Sequence, residues 1–402
     1  MSKGPLDGVR IIDFGWVLAG PYSTMLLSYL GADVIKVESR RRVDEQRIAH
    51  RAGMSKEVEA SSNFFEVNLG KRSVSLNIAT EEGAELARRL VATADVAIEN
   101  MRPGVMDRLG LGYPDLVKVK PDLVMVSISG WGHTGPMRDY TAYAPCFSSY
   151  SGMAHLTGYA DGEPNTGTSS NDARAGTAAA FAVMMALMMR ERTGQGQYID
   201  LVASFALNSI VGDSVLAHQL TGRSPMRDGN HDPVLAPHNV YRCRGEDRWI
   251  SIAVRTDAEW VALVETMGSP TWATDDDLAT LEGRVRSQDL IDKRLEEWTS
   301  GEDAFELMER LQSVGVAAVV SMDAHDLATS PHLLARGSFT QMEHEVLGRR
   351  PAISPPWQLS QTPARIKNSA PLLGDSNHEV FADLLGLDAA EIARLQEAKV
   401  IY

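Results

Sequence analysis

The first 130 residues alternate short aliphatic, β-branched runs with segments of helical period, and this alternation restricts the fold more than any other feature of the chain. The spacing predicts strands near residues 9–14, 32–37, 73–77, 96–99 and 123–128, with helices near 21–30 and 81–93. Strands that are almost continuously apolar need cover on both faces, and intervening helices supply it, which is the pattern of a parallel sheet. An α/β, Rossmann-like domain is therefore expected. The first run leads into Gly15-Trp16-Val17-Leu18-Ala19-Gly20-Pro21, a tight turn with a preset helix start. The GxGxxG fingerprint that cradles a dinucleotide is missing there, which disfavours a nicotinamide or flavin dehydrogenase.

At 402 residues the chain has room for two domains. Residues 222–237 turn polar and irregular and read as a linker. Beyond them a strand pair near 239–243 and 249–254, helices near 257–267, 289–298 and 304–314, and a strand near 317–321 outline a smaller α+β unit. Residues 336–358 show no clear period, and the tail carries helices near 377–385 and 389–398. The boundaries expected from this are a large domain over 1–222, completed by 336–402, and a small domain over 223–335 that includes the linkers.

A formal charge of −14 argues against nucleic acid or an anionic membrane as partner, since both need a basic surface. The two cysteines, Cys146 and Cys243, form no CxxC or Cys/His group, so neither a disulfide framework nor a metal site is expected and a reducing cytoplasm fits best. The N-terminus has no apolar core of a signal peptide, and the apolar run 178–189 is shorter than the roughly 20 residues that span a bilayer. A soluble protein is expected.

The residue that stands out chemically is Asp172, followed four positions later by Gly176 and then by twelve uninterrupted apolar residues, 178–189. That reads as a buried helix with Asp172 at its mouth, where unpaired N–H groups and the dipole favour an ionised carboxylate. Two roles fit the position: a helix cap, for which Asp is a preferred residue, and a nucleophile. The methionine-rich part of the run, 184–189, reads as core filling. Arg40-Arg41-Arg42 follows the second strand and Glu99-Asn100-Met101-Arg102-Pro103-Gly104 closes the fourth, both at the edge of the sheet where α/β proteins bind ligands. The arginine triple could hold phosphates or be a solvated run countered by Asp44 and Glu45. Histidines 133, 231 and 238 sit in Gly/Pro-rich loops and His218 on a helix, none in a metal-ligand spacing, and no GxSxG elbow occurs.

A series of short motifs runs through the chain: Asp13-Phe14 with Ala19-Gly20-Pro21, the run Leu30 to Glu38, Lys71-Arg72-Ser73, Asp95-Val96 and Glu99-Asn100. It continues with Arg102-Pro103-Gly104, Arg108-Leu109-Gly110, Ser129-Gly130-Trp131-Gly132, Asp172 with Gly176, the run Arg192 to Gln197, and Ala370-Pro371-Leu372-Leu373-Gly374. By these motifs, in this order, the chain resembles the class III CoA-transferases over nearly its whole length. The resemblance implies that Asp172 is the nucleophile and that coenzyme A is contacted by Leu18, Ala19, Leu76, Asn77, Asn100, Met101, Arg102 and Arg108, with Arg40 beside the second-strand contact at Ser39. Tyr143-Ala144 stands where the related acyl-CoA racemases carry a catalytic His-Asp pair, and Tyr143 joins the expected contacts. Leu18 replaces a glutamine of the formyl-CoA transferases, whose later glycine-rich loop has no counterpart at 229–238, so an acid larger than oxalate is expected, of dicarboxylic or aromatic succinate type, with succinyl-CoA as donor.

The implied reaction passes through an aspartyl-CoA thioester and needs no tightly bound cofactor, coenzyme A being a substrate. The implied assembly is an intertwined dimer of ring-shaped chains, or a pair with a homologous second subunit. Backbone N–H groups of the turn 132–135 and of the helix after Asp172 are the candidates for holding oxyanions. The competing readings are an acyl-CoA racemase and a non-catalytic subunit.

Overall fold

Six strands, β1 (Arg10–Asp13), β2 (Asp33–Glu38), β3 (Arg72–Ser75), β4 (Val96–Glu99), β5 (Val124–Ser129) and β6 (Gln197–Val202), form one sheet in the order β3-β2-β1-β4-β5-β6. Every pairing in it is parallel. The computed structural model describes residues 3–49, 57–167 and 169–402. Five of the strands lie within two residues of the expected positions, whereas β6 was not anticipated, because its residues are half exposed and lack a continuous apolar run. The strand order reverses between β1 and β4, which opens a crevice outside their carboxyl ends.

Both faces of the sheet are covered. On one, the helices Ala19–Tyr29 and Ser169–Thr193 bury Leu27, Ala175, Ala179 and Val183 against Ile11, Val34, Ile98 and Val126. On the other, the helix Glu81–Ala92 and the C-terminal tail bury Leu86, Leu90, Val380, Phe381 and Leu395 against Ile12, Ile35, Ala97 and Met125. Thr80 caps the helix Glu81–Ala92 by accepting from Gly83 N–H at 3.1 Å, and Glu81 and Glu82 occupy its first turn, where the dipole favours anions. The tail ends against the sheet: Leu76 bridges Ile401 and Asn77 N–H donates to Val400.

The chain divides into two compact units. The first comprises residues 1–154, 165–224 and 334–402, and the second 155–164 and 225–333. The segment 155–164 thus groups with the second unit, whereas the sequence reading had it in the large domain. Within the second unit β7 (His238–Arg242), β8 (Trp249–Ala253) and β9 (Ala317–Val320) form an antiparallel sheet in that order. Ile250, Ile252, Trp260, Leu263, Ile291, Leu295 and Leu307 close its core. In the first unit, β10 (Phe339–His344) and β11 (Gly348–Ile353) make a hairpin in the stretch where no period was legible. Most of its side chains are exposed or half exposed, so nothing imposes an alternating pattern.

The helix Ser169–Thr193 departs from expectation. It is 25 residues long, and by length and composition alone its segment Asn171–Thr193 could cross a membrane. Its inner face nevertheless packs on the sheet, and Arg190 near its end pairs with Asp95 at 2.8 Å. Its outer face is not buried: Phe181, Met185, Met188 and Met189 are 47–60% exposed. The expected core-filling role holds for Met184, Ala186 and Leu187, so that of the four methionines only Met184 packs against the core.

Candidate active site

A cavity of about 240 Å³ lies at the crevice between β1 and β4. Val17 and Ala19 after β1, Asn100 to Pro103 after β4, and Ser129 to Trp131 at the end of β5 line it, together with Tyr143, Phe147 and Asp172. Asp172 reaches this wall because its helix runs close to the first one. At Gly176, one turn on, a Cβ would lie 2.7 Å from the carbonyl oxygen of Ala19, so only glycine permits the approach. The helix begins at Ser169, which puts Asp172 in the first turn and not at the cap.

Burial alone pushes the Asp172 carboxyl above the ordinary aspartate range, and among the described residues no cation pairs with it. The expected charge-stabilising effect of the helix start is thus opposed by desolvation, which raises the basicity of the carboxylate once it is ionised. The first helix starts with Leu18 at its N-cap and no side-chain cap bond, so its leading N–H groups beside Ala19 are not used by a cap. The indole Nε1 of Trp131 on the same wall is buried without a partner. By contrast, two amides of the turn at 132–135 are occupied: Gly132 N–H donates to Ser129 Oγ at 2.9 Å and His133 N–H to Asp200 Oδ2 at 2.9 Å. Those two are therefore withdrawn as oxyanion donors.

An adjoining cavity of about 280 Å³ shares Arg102 and Arg138 with the first. Glu99, Ser127, His133 and Tyr198 line it. Burial raises the Glu99 carboxyl to about 7, although Met101 N–H donates to it at 2.6 Å. His133 Nε2 lies 3.8 Å from Glu99 Oε1, and burial lowers the imidazole below its ordinary value, so it is neutral at pH 7.

Of the residues expected at the site, Asp172, Ala19, Asn100, Met101, Arg102 and Tyr143 come together around the first cavity. Leu18 is adjacent, as the N-cap of the first helix, but is not part of the wall. Leu76 and Asn77 are not brought there, because the chain end covers them: Leu76 is fully buried and Asn77 is 7% exposed. Arg40 turns to the tail, donating to the Leu373 carbonyl at 3.1 Å, and Arg108 is an exposed residue closing a short helix. Of the arginine triple it is Arg42 that approaches the loop after β1, 4.8 Å from the Trp16 ring centroid. Asp44 and Glu45 do not counter that triple: Asp44 pairs with buried Lys36 at 3.2 Å, and Glu45 lines the cavity. Glu45, Arg138 and Phe147 were not foreseen, since nothing in their local sequence separates them from surface or core residues, and Trp131 was marked only as part of a motif that carries the resemblance, not as a site residue. Among the described residues, no cluster of three or more His, Cys, Asp or Glu side chains is placed to hold a metal.

The family model of CoA-transferase family III matches residues 6–377. The succinyl-CoA–D-citramalate CoA-transferase of Chloroflexus aurantiacus is 34% identical over 398 residues, covering 99% of this chain and 98% of that protein. The alpha subunit of the succinyl-CoA–L-malate CoA-transferase of the same organism is 33% identical over 401 residues, with 99% and 92% covered. Among solved structures, a CAIB/BAIF family protein from Brucella suis superposes with a TM-score of 0.87 at 32% identity, over 96% of this chain and 100% of that one.

Proposed function

The chain belongs to CoA-transferase family III, and from that premise we propose that it moves coenzyme A from succinyl-CoA to a carboxylic acid larger than oxalate through a thioester on Asp172. The observation that carries this reading is the position of Asp172: a half-buried, unpaired carboxylate on the wall of the cavity at the strand-order reversal. A carboxylate Oδ attacks the thioester carbonyl, the C–S bond breaks, and the products are a mixed anhydride and the CoA thiolate. The thiolate then attacks Cγ of Asp172, the anhydride C–O bond breaks, and the donor acid leaves as its carboxylate. The acceptor carboxylate attacks the aspartyl-CoA thioester and the two steps run in reverse, returning Asp172 as a carboxylate. No proton is gained or lost overall, and the thioester energy is conserved.

Each tetrahedral intermediate carries an oxyanion, and one preorganised donor is typically worth about 3 to 4 kcal/mol. The Ala19 N–H at the uncapped helix start and the unpartnered Trp131 indole are the donors assigned to it here. Arg102 and Arg138 supply positive charge on the cavity wall for the phosphates of coenzyme A or a second carboxylate of the acid. The names of the two Chloroflexus relatives pair succinyl-CoA with D-citramalate and with L-malate, which supports a dicarboxylic acceptor. The racemase reading has no residue to stand on at Tyr143-Ala144, where the proton-moving pair is required.

The reading extends to the assembly: two copies interlock, each covering the apolar outer face of the other's long helix. Phe181, Met185 and Met188 present that face to solvent in the single chain, and a patch of this kind marks an interface. A homologous second chain is the other candidate partner, since the malate relative is named as one subunit of a pair. An exposed free thiol at Cys146 fits a reducing, cytoplasmic setting.

Incubation with succinyl-CoA, trapping with hydroxylamine and mass spectrometry of the peptide spanning residue 172 tests the chemistry. A hydroxamate on Asp172 supports it. An unmodified peptide from protein that binds coenzyme A would remove the covalent step and leave the non-catalytic subunit as the reading.

A further inference from the structure

The loop between β1 and the first helix forms a wall of the cavity, and each of its three leading residues is held by a polar side chain from elsewhere in the fold. Gly15 accepts from the Lys36 ammonium at 2.6 Å through its carbonyl, and its N–H donates to Asp13 Oδ1 at 2.8 Å. Trp16 is paired with the Asn100 amide on both sides, N–H to Oδ1 at 2.7 Å and Nδ2 to carbonyl at 2.8 Å. Val17 N–H donates to Asp44 Oδ1 at 3.2 Å. Val17 has a φ of 61°, a left-handed conformation that a β-branched residue adopts only when its surroundings force it. The same Asp44 oxygen accepts from Gln46 N–H at 2.9 Å and so caps the short helix Glu45–Ile48, whose Glu45 lines the cavity. Its other oxygen pairs with Lys36 at 3.2 Å, closing a ring back to Gly15.

We propose that Asp44, which is 3% exposed and does not line the cavity, is a positioning residue for the transfer reaction: it holds Val17 in its left-handed conformation and ties Val17 to Glu45, both lining the cavity that Asp172 also lines. The inference rests on the reading of Asp172 as the nucleophile. Its physical content is that the leading N–H groups of the first helix are aimed by a loop that would relax if released. A buried carboxylate is well suited to hold it, because it accepts from two backbone donors at once while its charge is met by Lys36.

The test compares Asp44→Ala, Asp44→Asn and Val17→Gly, singly and combined, in succinyl-CoA exchange, in binding of free coenzyme A and in thermal unfolding. Asp44→Ala should lower kcat/KM by about 10²-fold, the cost of misplacing a reacting group by roughly an ångström. Asp44→Asn keeps an oxygen for the Val17 and Gln46 amides and should lose far less activity than Asp44→Ala, although both lower the melting temperature by removing the carboxylate paired with buried Lys36. Glycine takes a positive φ without strain, so Val17→Gly in the Asp44→Ala background should recover about tenfold in kcat/KM without restoring stability. If Asp44→Ala does not fold, Asp44→Asn carries the test by itself: exchange retained while the melting temperature falls supports the positioning role, and exchange lost in step with stability overturns it. Activity that falls in step with stability in every variant, or an absence of rescue by Val17→Gly, overturns the proposal. Exchange absent from the unaltered protein, with coenzyme A binding still weakened by Asp44→Ala, would sink the transfer reading and keep the positioning role.

Discussion

Asp172 carries two opposed demands. The proposed attack requires the carboxylate, whereas its burial favours the acid. With the folded value above the ordinary 3.8, the native state binds more protons than the unfolded chain between the two values, so ionising Asp172 costs stability as pH rises through that window. Asp172→Asn should therefore abolish exchange, by about 10⁴-fold or more, while the melting temperature at pH 7 stays level or rises. A loss of both would indicate a structural role for the carboxylate. In the unaltered enzyme kcat/KM should decline on acidification at a higher pH than an ordinary aspartate would produce. Glu99 follows the same sign: raised to about 7 by burial, its ionisation costs about 3 kcal/mol between pH 4.5 and 7. Denaturant unfolding at pH 5 and pH 8 should show the unaltered protein losing stability across that interval relative to Glu99→Gln; parallel behaviour would mean that Glu99 titrates normally. The place of Asp172 at the start of a half-buried helix was legible because that signal is local, a carboxylate four residues before a glycine and an apolar run, whereas its role as nucleophile came from the resemblance. Asp44, Glu45 and Arg138 were not, because what matters about them is convergence from separate segments on one cavity.

At the scale of elements, the approach of two helices sets where Asp172 lies. An alanine at Gly176 would bring a Cβ to 2.7 Å of the Ala19 carbonyl oxygen and 3.2 Å of Ser23 N, backbone atoms that cannot move aside singly. The helix-propensity gain of Gly→Ala, up to about 1 kcal/mol, is smaller than the cost of overpacking, about 1–3 kcal/mol. Gly176→Ala should lower the melting temperature by a few degrees and kcat/KM by about 10²-fold, because Asp172 and the Ala19 N–H separate together. Stability lost without activity would mean that the helices part elsewhere along their length. Strands β1, β2, β4 and β5 were readable since burial on both faces leaves them nearly continuous in apolar residues. The edge strand β6 and the β10–β11 hairpin carry no such imprint, being half exposed, and Arg349 and Arg350 sit where an alternating pattern would need an apolar side chain.

For the whole molecule, the outer face of the long helix is the feature that a single chain leaves unexplained. Phe181, Met185 and Met188 recur at helical spacing on one side, and the helix Ala203–Asn208 packed beside it adds Phe205, 61% exposed. Apolar side chains on that scale are held out of water when a partner covers them, at about 25 cal/mol per Å². Light scattering of the purified protein at micromolar concentration should give twice the mass of one chain, and Phe181→Glu with Met185→Glu should yield monomer or aggregate. A monomeric unaltered protein would remove the dimer from the proposal, and a stable unequal pair with a second homologous chain would replace it. Interlocking makes a sharper demand than contact. Rings that thread one another exchange subunits only by opening, so mixed dimers of tagged and untagged chains should form no faster than the protein unfolds, over hours to days in the absence of denaturant. Exchange within minutes, with the dimer mass intact, would mean that the two chains meet face to face and are not threaded.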